Sequence, residues 1–168
     1  DQQRNNGAAA IYLPNAFPGL CAGIWSDAAT FIPKMLYDYY GSKTQLEENY
    51  PLMKDWVDYI FRADCARGCR NLYDFGFQFG DWLALDGSTE QSTFGRTDNG
   101  YICSLYYYAS TCYVAEAAEI LQKPEADEYR HRAEDIRKAI LNEYFTPTGR
   151  LAVDTQTGYL AALKFGVY

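Results

Sequence analysis

The sequence predicts an all-α fold, a partial α/α toroid made of about five helices in hairpin pairs. Three observations carry that reading. Helical stretches almost free of charge alternate with stretches that have one wet face, as inner and outer helices of a ring would. Polar and aromatic residues collect just before each charge-poor helix. No period of about 34–47 residues recurs, which argues against a solenoid, and a plain helical bundle is the competing architecture.

Residues 1–24 hold Pro14, Pro18 and three glycines with few helical repeats, and read as a loop-rich lead-in. A first helix is expected over 26–40, with Ser26 or Asp27 capping its free N–H groups and Gly41 stopping it. Its only charges are Lys34 and Asp38, so it reads as largely buried, and Pro33 implies a kink. Ser42 opens a second helix over 43–62, where Leu46, Tyr50, Met53, Val57 and Ile60 form one stripe while Glu47, Glu48, Asp55 and Asp58 face elsewhere.

Residues 63–98 form a long connection whose aromatic density argues for order, although it contains the polar run from Asp86 through Ser88 and Glu90 to Thr93. A third helix over 99–122 has a long uncharged body and should be buried on nearly every side. The fourth, over 125–144, carries the stripe Tyr129, Ala133, Ile136 and Ile140 among Arg130, Arg132, Glu134 and Asp135. After the turn signal around Gly149, a fifth helix starts near Asp154 or Thr155 and runs toward the end of the chain. The helices at 26–40, 99–122 and 155–166 are thus expected to be more buried than those at 43–62 and 125–144.

Composition narrows the partners. With 168 residues and 48% apolar content, the chain is one ordinary folded domain. Twenty-two acidic against 15 basic residues give a net charge of -7, which disfavours nucleic acid. No membrane span or signal peptide is read in it; a parent protein could be cytoplasmic or periplasmic. Sixteen Tyr, nine Phe and three Trp exceed what a core needs and suit a ligand cleft.

No cofactor or metal is expected, because zinc needs about four ligands and the one histidine, His131, reads as a solvated residue on a charged helix. The five cysteines read mostly as buried thiols; Cys65 and Cys69 could pair, and the sequence leaves that open.

The stretch Gln78-Phe79-Gly80-Asp81-Trp82-Leu83-Ala84-Leu85-Asp86-Gly87 draws the rest together. A carboxylate beside an indole suits sugar binding: Asp81 can accept hydroxyl protons while Trp82 offers a flat face to ring C–H groups. The same residues also suit a buried tryptophan with an aspartate capping a turn. Two further polar-aromatic segments, Trp25-Ser26-Asp27 and Asp154-Thr155-Gln156-Thr157, precede the first and fifth helices, and in a toroid all three would converge on one end.

Trp25-Ser26-Asp27-Ala28-Ala29, Tyr50-Pro51-Leu52-Met53-Lys54-Asp55-Trp56-Val57-Asp58-Tyr59-Ile60, Phe79-Gly80-Asp81-Trp82-Leu83-Ala84 and Thr155-Gln156-Thr157-Gly158-Tyr159-Leu160-Ala161-Ala162-Leu163 together resemble the catalytic domain of bacterial α-L-rhamnosidases of glycoside hydrolase family 78. The resemblance covers nearly the whole chain. It implies a six-hairpin (α/α)6 barrel, of which residues 1–168 would be one internal segment, and inverting hydrolysis of terminal α-L-rhamnosides by a glutamic acid and a glutamate. It further implies that Trp25 and Trp82 are walls of the rhamnose pocket, with Asp27 and Asp81 as polar neighbours.

The departures are equally specific. The family's acid motif, aspartate-glutamate-arginine, and its Trp-Glu base motif do not occur here, so no catalytic residue is assigned within this chain. Ser26 stands where the family usually has glycine, and the loop from Cys65 to Cys69 has no counterpart. The implied partners are a rhamnose-containing glycoside and the remainder of a catalytic domain, with self-association through apolar helix flanks. A segment of another (α/α)6 glycosidase and a non-enzymatic helical binding module are the alternatives, which flanking sequence would separate.

Overall fold

The computed structural model describes residues 3–14, 19–87, 89 and 91–168. Asp1, Gln2 and Pro18 of the lead-in, and Ser88 and Glu90 of the polar run, lie outside the described residues. Five helices make up the regular structure: α1 (Ala28–Tyr40), α2 (Lys43–Cys65), α3 (Asn99–Ile120), α4 (Ala126–Tyr144) and α5 (Gln156–Phe165). Among the described residues the only β pairings are two isolated antiparallel bridges, Trp82 with Phe94 and Phe145 with Leu151. Among the same residues no helix is long and apolar enough to cross a membrane.

Helix boundaries follow local chemistry. The Ser42 side chain accepts from the Gln45 N–H, Asp98 from Tyr101 and Thr155 from Gly158, so α2, α3 and α5 each begin on a side-chain cap. Gly41 and Gly166 end α1 and α5 in the left-handed region, where glycine has no Cβ penalty. The expected cap of α1 is absent. Asp27 makes no side-chain bond to the helix's first N–H groups, because its carboxylate has stronger partners in the interior. Ser26 Oγ also looks away from the helix, accepting from Ala22 N and donating to the Ala9 carbonyl.

Helix α3 is the axis of the packing and touches each of the other four helices. Thirteen of its 22 residues are buried, including Tyr101, Leu105, Tyr107 and Val114, as its uncharged body over 101–115 predicts. Helix α2 contributes Leu46, Met53, Trp56, Val57 and Ile60, all fully enclosed, and α4 adds Tyr129, Ile136 and Ile140. Each fully buried large apolar side chain contributes about 1.5–3 kcal/mol, so these two stripes are the main stabilising surfaces around α3.

The expected burial order holds for α3 and fails for α1 and α5. Only Thr30 and Pro33 are buried in α1, and only Gly158 and Ala162 in α5. Ile32, Met35, Leu160 and Leu163 are about half exposed or more. The reason is geometric: α5 packs on α3 alone and α1 on α2 and α3, so each keeps an apolar face without a neighbour among the described residues. Lack of charge reported what these helices can bury, and packing within this chain covers only part of it.

Helix α2 runs past the expected end to Cys65 because Asp64 organises the turn beyond it. The Asp64 carboxylate accepts from Arg70 N and Asn71 N at 3.1 and 2.7 Å. Cys65 and Cys69 are joined in a disulfide across this turn, a pairing the sequence leaves open, while Cys21, Cys103 and Cys112 are free. His131 is exposed on α4.

Candidate functional site

The three polar-aromatic segments meet at one end of the helical array. A directional chain of hydrogen bonds links two of them: Gly158 N–H donates to Thr155 Oγ1 at 3.0 Å, the Thr155 and Thr97 hydroxyls meet at 2.8 Å, and Thr97 Oγ1 donates to Asp81 Oδ2 at 2.9 Å. Each hydroxyl has one proton, so the donor order is fixed from α5 toward Asp81. Tyr101 OH donates to the Gly158 carbonyl at 3.1 Å and closes the same junction from α3.

Aromatic rings link the third segment. Phe79 lies 5.2 Å from Trp25 and 5.3 Å from Trp82, and Trp82 lies 5.1 Å from Phe94. The Phe79–Trp82 and Trp82–Phe94 pairs are edge-to-face, the geometry the ring quadrupole favours. Trp25 is 41% and Trp82 37% exposed, so each indole is anchored on one side and open on the other. Phe77 packs edge-on to Phe79 at 4.9 Å and extends the aromatic strip.

The loop carrying Asp81 and Trp82 is closed at its neck. Gly95 N donates to the Asp81 carbonyl at 2.9 Å and Leu83 N to the Thr93 carbonyl at 2.7 Å. Gly80 precedes it with φ +57, and any Cβ there would collide with the Asn99 side-chain amide. Glycine takes that backbone conformation without a Cβ penalty, and a larger residue would also have to displace the Asn99 side chain.

Asp27 sits beneath the site rather than in it. Its carboxylate has no exposed surface and accepts from Ile24 N at 2.7 Å, Trp56 Nε1 at 2.8 Å and Ser110 Oγ at 2.6 Å. Burial pushes its carboxyl above the usual range, against these three bonds, which favour the ionised form. Gln78 is a second buried tie: its Oε1 accepts from Gly23 N at 2.7 Å and from Cys103 Sγ at 3.4 Å, and its Nε2 donates to the Phe75 carbonyl. Burial likewise raises the Cys103 thiol.

Other nearby carboxylates have local duties. Asp98 caps α3 through Tyr101 N, Asp86 accepts from Arg96 N, and Asp154 accepts from Tyr159 OH, which raises that phenol's pKa. Asp81 is the carboxylate that combines partial exposure with a place beside an open indole.

A cavity of about 950 Å³ opens between the lead-in, α1 and α2, with Trp25 on its wall beside Ile11, Leu13, Ile32 and Leu36. Trp82 does not line it. Its walls include the uncovered apolar face of α1, so the polar, aromatic strip is the better candidate for ligand chemistry. Sequence reasoning assigned no role to Phe79, Thr97 or Gln78. Phe79 could have been found as the aromatic two residues before Asp81; the partners of Thr97, and the Gly23 and Cys103 partners of Gln78, are remote in sequence and leave no local signal.

The family described as bacterial α-L-rhamnosidase six-hairpin glycosidase domain matches residues 1–168. The α-L-rhamnosidase of Formosa agariphila is 30% identical over 98% of this chain and 18% of its own length. Among solved structures, the α-L-rhamnosidase of Aspergillus terreus superposes with a TM-score of 0.84 at 29% identity, over 96% of this chain and 19% of that one. The Streptomyces avermitilis α-L-rhamnosidase complexed with L-rhamnose gives 0.80 at 27% identity, over 99% of this chain and 15% of that one. The five helices are thus an arc of an α/α toroid, and the chain spans less than a fifth of the length of these relatives.

Proposed function

Because this chain belongs to the bacterial α-L-rhamnosidase six-hairpin glycosidase family, we propose that it is a segment of a glycoside hydrolase that removes terminal α-L-rhamnose by inverting hydrolysis. Residues 1–168 form one internal segment of the (α/α)6 catalytic domain and supply pocket walls. The observation that carries this reading is the strip Trp25–Phe79–Trp82, whose two indoles are each held on one side and open on the other. Rhamnose presents an apolar methyl and C–H faces together with hydroxyls, and suits indole faces next to the half-buried carboxylate of Asp81. Asp27 contributes from below.

Inverting hydrolysis needs an acid and a base about 6.5–9.5 Å apart on opposite faces of the sugar. Asp27 is enclosed, and Asp81, Asp86, Asp98 and Asp154 accept hydrogen bonds that fix loops and caps. We therefore assign neither role within this chain, and place both glutamates in the remainder of the domain. The apolar faces of α1 and α5 pack against that remainder, and in the isolated chain they drive self-association.

The test uses a rhamnosidase carrying this segment. Trp25→Ala and Trp82→Ala should each lower kcat/KM on an aryl α-L-rhamnoside by about 2–4 kcal/mol in transition-state stabilisation while the protein stays folded. Unchanged kcat/KM in both variants would remove the tryptophans from the pocket.

A further inference from the structure

We propose that Asp27 is a positioning residue for the sugar pocket: its buried carboxylate holds Ile24 in a left-handed backbone conformation, and that conformation aims Trp25 at the ligand. The inference rests on the reading of Trp25 as a pocket wall.

Ile24 has φ +74. A β-branched residue there is a genuine outlier, since its Cβ crowds the backbone, and such outliers persist only where the surroundings impose them. The surroundings here are specific. The Ile24 N–H donates to Asp27 Oδ2 at 2.7 Å, and Asp27 Oδ1 is clamped by Trp56 Nε1 from α2 and Ser110 Oγ from α3. Ser110 Oγ also meets Thr30 Oγ1 at 2.7 Å. The carboxylate is thus fixed by the helical core, and it transmits that fixed position to the backbone one residue before Trp25.

Asp27 itself has no exposed surface and cannot touch a sugar, whereas Trp25 is 41% exposed and lies against Phe79. The Gly23 N–H bond to Gln78 holds the other side of the turn at 2.7 Å. Without Asp27, Ile24 would relax toward negative φ and swing the Trp25 indole away from Phe79.

A rescue experiment separates positioning from general stability. In the rhamnosidase carrying this segment, Asp27→Ala should raise KM for an aryl α-L-rhamnoside about tenfold, the size expected when a strained residue is released. Adding Ile24→Gly, which lets the backbone take the left-handed conformation freely, should bring KM back to within about threefold of the parent, although the Tm stays lowered because the Trp56 and Ser110 bonds are not restored. A double variant as impaired as Asp27→Ala overturns the proposal, as does an unchanged KM in Asp27→Ala.

Fluorotryptophan labelling gives an arm that needs no rhamnoside. The Trp25 fluorine signal, assigned with Trp25→Phe, should broaden or split in Asp27→Ala and become single again in the double variant; an unaltered signal in Asp27→Ala overturns the proposal. Failure of rhamnoside turnover in the parent would sink the functional reading and leave this arm standing. Should Asp27→Ala not fold, Ile24→Gly and Ile24→Ala are compared by Tm. The glycine variant should be the more stable, and the reverse order would remove the strain on which the proposal depends.

Discussion

The hydroxyls of Thr97 and Thr155, 58 residues apart in sequence, meet at 2.8 Å and join the approach to α3 with the N-cap of α5. Thr155 is committed as acceptor to Gly158 N and Thr97 as donor to Asp81, so the two side chains act as one unit between a helix terminus and the site carboxylate.

Breaking that unit should cost stability non-additively. Thr155→Val removes a cap worth about 1 kcal/mol, and Thr97→Val removes the Asp81 bond at a similar cost of about 1 kcal/mol. Urea unfolding of both single variants and the double should give a coupling of about 0.5–1 kcal/mol. Strict additivity would show that the hydroxyls do not communicate.

Phe79 is the ring between the two tryptophans, so Phe79→Leu should keep the fold and lose about 0.5–1.5 kcal/mol of transition-state stabilisation on an aryl α-L-rhamnoside. Equal kcat/KM for variant and parent would leave Phe79 as core filler alone.

Asp27 sets a pH dependence with a definite sign. Burial holds its folded carboxyl above the ordinary aspartate range. The folded state therefore binds this proton more tightly than the unfolded chain does, and the stability contributed by the protonated group is fully present below the unfolded pKa and lost as pH rises through the folded one. The stability difference between the parent and Asp27→Asn, followed by urea unfolding from about pH 3 to about pH 7, should move against the parent as pH rises. A difference that grows in the parent's favour contradicts the burial argument.

Thiol chemistry should count the cysteines. Under denaturing, non-reducing conditions three of the five should react, and all five after reduction. In the folded protein Cys103 should stay protected, and Cys112, whose thiol burial pushes up to about 11, should react only slowly near neutrality. Five reactive thiols without reductant would rule out the Cys65–Cys69 bond.

The isolated 168-residue chain should show no turnover of an aryl α-L-rhamnoside and should associate as its concentration rises, since Ile32, Met35, Leu160 and Leu163 are open to solvent. Sedimentation should detect the association, and Leu160→Lys with Leu163→Lys should reduce it. Turnover abolished by Asp81→Asn would place a catalytic group where none is assigned.

The sequence by itself determined the helices, their order and most of their ends, because caps, terminal glycines and periodic stripes act over a few residues: Ser42, Asp98, Thr155 and Gly41 each do locally what their chemistry predicts. It also marked α3 as the buried axis, since a helix with so long an uncharged body has no face to give to water. The five-helix arc and the α-L-rhamnosidase family were legible in the same way, through short motifs in a fixed order. Tertiary structure decided what depends on partners far along the chain. It left α1 and α5 with open apolar faces, turned Asp27 from a helix cap into a buried anchor for Ile24, and closed Cys65 onto Cys69. Asp27 could cap its helix or bind inward with equal local ease; Trp56 and Ser110, 29 and 83 residues away, supply the donors that settle the choice.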